Sequence, residues 1–478
     1  MLFSLKTFWV LLPLLAKAAT VTYTVPSTAP TSAAKLAPAP VGLSFEFFAY
    51  PSYFTNVTAT NQCLKNFQSL SGTWPPIRIG GTTQDRATYD PATSAYVVYT
   101  VASPTDAPAS LTFGSSLMKL AATYAGTVVL GLNRGHNNIT NTILAAKSAK
   151  SSMGNLKAIE LGNEPEYYSG VQPIASPSWS PAIDAASQNS WDIQVGTALQ
   201  TTNIIQAGNS NSAPPTWGAA ELIASGNSTV RQYVRDYAHH NYPGGTLSTL
   251  MSHNTIVSNL APIGTDVLAA TAVGKEYVLG ETNSVSGGGA ATVSPTFGAA
   301  LWTMDYILRS TVLNITTIYF HHGTIGACYY CWWGRYDAGA PYYGAWLAVS
   351  AFSGSSYISQ LDTGSTKYGA YVLYDAGKVP IKAVLYNSDY FNGTGTRGSQ
   401  SFVLGGLTAG KQTKTKRLTA KSALSRVDQG ENPSFGGQIV ANGTCIVGGT
   451  ETFEVGSVGS NGAGSWVVGA SEAVLVYF

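Results

Sequence analysis

From residue 41 onward, short runs of apolar and β-branched residues alternate with longer segments whose apolar positions recur at helical spacing. Strands buried on both faces read as near-continuous apolar runs, so this alternation is the pattern of repeated βα units around a parallel sheet. Eight runs predict strands: Val41–Phe48, Pro76–Gly81, Val128–Asn133, Ala158–Gly162, Asn203–Gly208, Tyr237–Asn241, Glu276–Gly280 and Thr316–His321. Between them, helical spacing predicts helices over Ser115–Tyr124, Ile139–Met153, Asp184–Leu199, Thr229–Asp236 and Phe297–Thr311. Eight units of this kind favour an α/β fold closed as a (β/α)8 TIM barrel over an open sheet.

After about residue 345 the helical period disappears. Strand-like runs at Tyr368–Tyr374, Val379–Tyr386, Ser401–Leu404, Ser422–Val427, Thr450–Val455 and Ala473–Tyr477, with Gly-rich turns, predict a C-terminal antiparallel β-sandwich. The alternation Val21-Thr22-Tyr23-Thr24-Val25 predicts one further strand that completes this sheet from the N-terminus. The expected organisation is a signal peptide over 1–18, an N-terminal strand and linker over 19–40 joining the β-domain, a catalytic barrel over 41–345 and a β-sandwich over 346–478.

Composition narrows the partners. A net charge of +2 and a charged fraction of 10% argue against a nucleic-acid binder, which needs clustered Lys and Arg to neutralise phosphates, so no nucleic acid is expected. The one dense basic stretch, Lys411–Arg417, reads as a solvated loop, because it lacks interleaved aromatics for base stacking. Lys6, the apolar run Phe8–Leu15 and the small residues of Ala16-Lys17-Ala18 form a signal-peptide pattern, and no segment reaches the ~20 apolar residues of a membrane span. A secreted, extracellular chain without a membrane partner is expected. Six Asn-x-Thr sequons at Asn56, Asn138, Asn227, Asn314, Asn392 and Asn442 are the expected N-glycan sites. Export permits the four cysteines to pair in three ways, of which Cys328 with Cys331 and Cys63 with Cys445 is the preferred reading.

The candidate chemistry lies at two strand ends. Leu161-Gly162-Asn163-Glu164-Pro165-Glu166 and Leu279-Gly280-Glu281-Thr282-Asn283-Ser284 each end an apolar run in Gly and then glutamate. A residue just past the last apolar position of a barrel strand emerges at the C-terminal face, where barrel enzymes hold their reacting groups. Strands four and seven place Glu164 and Glu281 across the barrel mouth, which suits a pair in which one carboxyl donates a proton and the other attacks an anomeric carbon. Glu164 is the expected acid/base and Glu281 the ionised nucleophile. Asn163 is suited to a sugar 2-hydroxyl; Glu160, inside its strand, and Glu166, next to the pair, are weaker candidates. The spacing of the histidines matches no zinc motif and glycoside hydrolysis needs no metal, so neither metal nor cofactor is expected.

Leu161-Gly162-Asn163-Glu164-Pro165, Gly280-Glu281-Thr282-Asn283-Ser284, Ser44-Phe45-Glu46 and Arg78-Ile79-Gly80-Gly81-Thr82-Thr83-Gln84-Asp85 together resemble the β-glucuronidases of glycoside hydrolase family 79, within the clan A retaining glycosidases. The resemblance covers nearly the whole mature chain. It implies a carbohydrate substrate, with Glu164 as acid/base and Glu281 as nucleophile. It also implies that the uronate carboxylate is held by a tyrosine hydroxyl and by backbone N–H groups after the nucleophile, for which Tyr330 and Gly288 are the candidates and Arg335 a competitor.

Tyr242 is the candidate to position the nucleophile. Asp85 and Glu46 bind ring hydroxyls or, alternatively, cap a loop and hold a buried network; His321 and His322 end strand eight, and Trp332 and Trp333 either wall the sugar site or fill a domain contact. The expected activity is secreted exo-β-glucuronidase action on terminal glucuronic acid, with or without 4-O-methylation. The alternatives are a heparanase-like endo-enzyme, disfavoured by the absence of basic clusters in the barrel segments, a clan A β-xylosidase or arabinosidase that binds no carboxylate, and a non-catalytic carbohydrate-binding protein.

Overall fold

The computed structural model describes residues 20–212, 215–334 and 338–478; the expected signal peptide over 1–18 and Arg335 lie outside them. Eight parallel strands close into a barrel: β1 (Val41–Glu46), β2 (Ile77–Gly80), β3 (Val128–Leu132), β4 (Leu156–Leu161), β5 (Ile205–Ser210), β6 (Val234–Asn241), β7 (Glu276–Thr282) and β8 (Thr317–His322). Every residue of β1, β2, β3, β5 and β8 is buried, the condition that made these strands readable as apolar runs. The helical segment expected at Thr229–Asp236 shrinks to Ser228–Arg231, because Val234 onward pairs with β5 and Asp236 onward with β7. Asn227 caps that short helix, its side chain accepting from the N–H groups of Thr229 and Val230.

Between β2 and β3 the chain inserts a small sheet of Ala87–Tyr89, Val97–Val98 and Leu111–Phe113, which the sequence pattern did not reveal. Helix Pro341–Phe352 is continuous across the expected boundary at residue 345 and fully buried. Among the described residues no helix is long and apolar enough to cross a membrane.

The C-terminal part consists mainly of antiparallel strands, packed as a larger sheet around Tyr368–Tyr374, Pro380–Asn387, Gln412–Thr419 and Glu472–Tyr477 against a three-stranded one. The smaller sheet is Thr20–Thr24, Ser399–Gly405 and Gly464–Gly469, and its N-terminal strand pairs in parallel with residues 401–405. Phe402, Leu404, Val372, Val468, Val474 and Val476 form the core between the sheets.

Two expectations fail here. Lys411–Arg417 is not a loop but most of strand Gln412–Thr419, in which Arg417 pairs with Glu454 and Glu472 at 2.7 and 2.9 Å and Lys416 with Glu451 at 2.7 Å. Ser422–Val427 is not a strand; its carbonyls at Ala423 and Ser425 accept from Gly298 and Phe297 at the start of helix Phe297–Val312, which docks the β-domain on the barrel. The strand expected at Thr450–Val455 lies at Glu454–Ser457. Disulfides join Cys63 to Cys445 across 382 residues, barrel to β-domain, and Cys328 to Cys331.

Candidate active site

The two Leu-Gly-containing strand ends work by different means. After β4, Gly162 takes φ 81°, and a Cβ there would lie 2.2 Å from the Tyr168 hydroxyl, so only glycine fits. Glu164 itself sits at φ 51°, a left-handed conformation unusual for a side chain of this size, and begins the turn Pro165–Tyr167. After Leu279 the ladder with β8 is interrupted until Thr282, and the ladder with β6 shifts so that His240 faces Glu281. Such a bulge re-aims the following side chain, here Glu281, towards the barrel axis.

One oxygen of Glu164, one oxygen of Glu281 and a ring nitrogen of His240 all lie within 4.8 Å of one another. Arg78, fully buried on β2, organises the floor beneath them. Its Nε and Nη2 donate to the two oxygens of Glu160 at 2.7 and 2.5 Å. Nη2 also donates to Asn163 Oδ1 at 3.0 Å, and Nη1 to Ser44 Oγ at 2.9 Å and Glu281 Oε2 at 2.6 Å. Because arginine is only a donor, it fixes the Asn163 amide with Oδ1 inward. Glu281 Oε1 accepts from the Tyr242 hydroxyl at 2.6 Å.

These contacts separate the two carboxyl groups. Burial opposes ionisation of Glu281, but His321, Arg78 and the Tyr242 hydroxyl outweigh it and hold the group far below the usual carboxylate range. Burial and then the neighbouring Glu281 charge push Glu164 up to about 8. His240, whose Nδ1 lies 3.1 Å from Glu164 Oε1, is kept neutral by burial, its pKa lowered to about 4. His321 is raised: burial works against its proton, and Glu281 and Glu46 overcome it. The fixed charge of Arg78 against Glu281 also makes this three-group cluster a poor cradle for a metal cation.

A cavity of about 490 Å³ opens above the pair, lined among others by Glu46, Tyr167, Tyr242, Gly288, His321 and Tyr330. Glu46 keeps one edge on the cavity while Oε1 accepts from the N–H and hydroxyl of Thr83 at 2.8 and 2.5 Å, and Oε2 lies 3.3 Å from His321 Nε2. Tyr330, buried, packs its ring 6.2 Å from those of Tyr242 and His321. Gly287, Gly288 and Gly289 all have positive φ, which gives the loop after Glu281 its tight course along the cavity wall.

Asp85 is not a ring-hydroxyl ligand. Its oxygens accept two bonds each, from Arg134 N and Gly135 N at 2.9 Å, from Asn163 N at 2.7 Å and from the Tyr168 hydroxyl at 2.5 Å, so it is saturated in the loop-capping role. Trp332 and Trp333 are fully buried around His322 and Phe45 and form no sugar wall. His322 Nε2 accepts from Trp332 N at 3.1 Å and belongs to the same packing. Glu166 accepts from Asn211 N and ties the turn after β4 to the loop after β5. The organising roles of Arg78, Glu160 and His240 were not assigned from the sequence. A signal existed for the first two: opposite charges inside the apolar runs Ile77-Arg78-Ile79 and Ala158-Ile159-Glu160-Leu161 require each other.

A parallel barrel whose fourth and seventh strands bring one carboxyl of raised pKa and one of lowered pKa to a single cavity has the arrangement of a glycoside hydrolase. Residues 370–475 match the model of the glycosyl hydrolase family 79 C-terminal beta domain. A curated β-glucuronidase of Aspergillus niger is 31% identical over 406 residues, spanning 74% of this chain and 72% of that protein. A second, from Neurospora crassa, is 29% identical over 399 residues, 73% of this chain and 68% of that one. The crystal structure of a 4-O-α-L-rhamnosyl-β-D-glucuronidase from Fusarium oxysporum, in complex with Rha-GlcA, is 48% identical, with a TM-score of 0.93 over 96% of this chain and 100% of its own. The chain belongs to glycoside hydrolase family 79.

Proposed function

We propose that the enzyme hydrolyses terminal β-linked glucuronic acid from glycans by double displacement, with retention at the anomeric carbon. The observation that carries this is the approach of Glu164 and Glu281 within 4.8 Å, near the ~5 Å carboxyl separation of retaining enzymes and short of the ~6.5–9.5 Å that leaves room for an inverting water. Glu281, ionised, attacks C1 while Glu164 gives its proton to the departing oxygen. Glu164, now a carboxylate, takes a proton from the water that releases the sugar from Glu281. Asn163 donates to the 2-hydroxyl, Glu46 accepts from a ring hydroxyl, and Tyr330 with the Gly288 N–H holds the C6 carboxylate.

The 48% identical neighbour acts, by its name, on a 4-O-rhamnosylated glucuronide. That similarity favours a second reading, in which a 4-O-substituted glucuronic acid is accepted and released as a unit. Aryl β-glucuronide, its 4-O-α-L-rhamnosyl derivative and aryl β-xyloside, assayed side by side, test both. Glucuronide turnover with the β-anomer formed first by NMR supports the assignment; equal or better xyloside turnover, or the α-anomer first, refutes it. Export after cleavage at residue 18 and N-glycans on the six sequon asparagines, all exposed, belong to the same proposal. A mass loss of the secreted protein on endoglycosidase treatment checks them.

A further inference from the structure

Tyr167 follows the candidate acid/base by three residues and is the most exposed large aromatic residue among those described, at 60%. Isolated exposure of a tyrosine is ordinary. This one, however, lines the reaction cavity beside Glu164 and Asn211. Its backbone is also rigid: Tyr167 N donates to Glu164 O at 3.0 Å, and the next residue, Tyr168, is buried and bonded to Asp85. Tyr168 stacks on Trp179, whose indole N–H donates to Pro165 O at 2.8 Å. The turn therefore presents the Tyr167 ring on a fixed base, and a tyrosine so placed offers a large apolar face with little conformational freedom to lose.

Asn211, on the facing loop, is drawn to the same wall. The Glu166 carboxylate takes its backbone N–H, and among the described residues no hydrogen bond engages the side-chain amide of this cavity-lining residue. In any glycosidic cleavage the leaving group lies against the acid that protonates it, so the space beside Glu164 belongs to the aglycone.

We propose that Tyr167 and Asn211 form an acceptor subsite for a second sugar, the ring of which stacks on Tyr167 while a hydroxyl bonds the Asn211 amide. The inference rests on Glu164 being the acid of a β-glucuronidase, and it makes the preferred substrate a glucuronosyl saccharide instead of a glucuronide of a small alcohol.

The test is the ratio of kcat/KM for a β-glucuronosyl-hexose disaccharide to that for methyl β-glucuronide, both measured on one preparation so that the folded fraction cancels. Wild type should favour the disaccharide. Tyr167→Ala should lower the ratio roughly tenfold, the size of an aromatic contact, and Tyr167→Phe should keep it. Asn211→Ala should lower it in the same direction. A ratio untouched by Tyr167→Ala overturns the subsite even where both substrates are slowed, since equal slowing marks a disturbed Glu164. Wild-type enzyme that cleaves neither glucuronide overturns the glucuronidase reading, and the subsite with it.

Discussion

Replacing Glu281 by Gln removes one charge from the site and should be read most directly at Glu164. In the wild type Glu164 titrates at about 8, pushed there first by burial and then by the Glu281 charge. The two carboxyl groups approach within 4.8 Å. At an effective dielectric near 20, two unit charges at that distance repel by about 3.5 kcal/mol, equivalent to roughly 2.5 pH units. Burial is unchanged by the substitution, and Arg78, which favours the ionised form of Glu164, loses a competing partner. Glu164 should therefore titrate about 2 units lower in Glu281→Gln than in wild type. Side-chain carboxyl ¹³C NMR over pH 4 to 10 reports this, with the resonance assigned by its loss in Glu164→Gln. A difference below about half a unit would refute the coupling and leave burial alone as the cause. In the double displacement proposed above, esterification of Glu281 would remove the same charge, and the same fall would convert Glu164 from acid to base between the two half-reactions.

Tyr242→Phe deletes the 2.6 Å hydrogen bond to Glu281; a bond to a charged group is worth about 1.5–3 kcal/mol, so kcat/KM should fall roughly 10- to 100-fold with the fold intact by circular dichroism. Arg78→Met strands Glu160, fully buried, without its ion pair, and urea unfolding should show a loss of about 3–5 kcal/mol. His253 lies between Asp305 and Asp362 at 2.8 and 2.9 Å; burial works against its proton, but the two carboxylates raise its pKa to about 10. A raised histidine stabilises the fold fully below its unfolded value of ~6.5 and loses that contribution as pH rises through 10. Wild-type stability should therefore drop by up to about 5 kcal/mol over that window, and the drop should be absent from His253→Gln.

The barrel was legible where burial is complete on both faces, because apolar composition then survives whatever the loops do. Strand Gln412–Thr419 escaped because its lysines and arginine hide the alternation: Thr413 and Thr415 face inward, while Lys416 is buried over the Phe435 ring, 4.2 Å away, and paired with Glu451. Charge was read as solvation when it was paired. Thr229–Asp236 failed for the opposite reason: its spacing is helical, but pairing of Val234 and Asp236 with the neighbouring strands overrides local preference in the second half. The two glutamates could be placed from strand ends alone. Asp85 could not be assigned, since only the fold brings Arg134, Gly135, Asn163 and Tyr168 to its oxygens.

The difference between the two glutamates rests on an asymmetry of contact more than of burial. Arg78 reaches from β2 to Ser44 on β1, to Glu160 and Asn163 at β4 and to Glu281 on β7, yet its direct bonds to the carboxyl pair go to Glu281 alone. Among the described residues, the side-chain hydrogen bond that reaches the Glu164 carboxyl comes from the neutral His240. His321 and Arg78 thus hold the nucleophile as a carboxylate, and burial, with that carboxylate's charge added to it, keeps the acid protonated. Such a network is costly to bury unless every member is paired, and unpartnered atoms remain at its edge on His240 Nε2 and Gln206 Oε1. The stability that tolerates this lies away from the site, in the Cys63–Cys445 link and the His253 ion cluster that hold the β-domain against the barrel. Loosening those ties should lower thermal stability without shifting the titration of Glu164, because none of them touches Arg78.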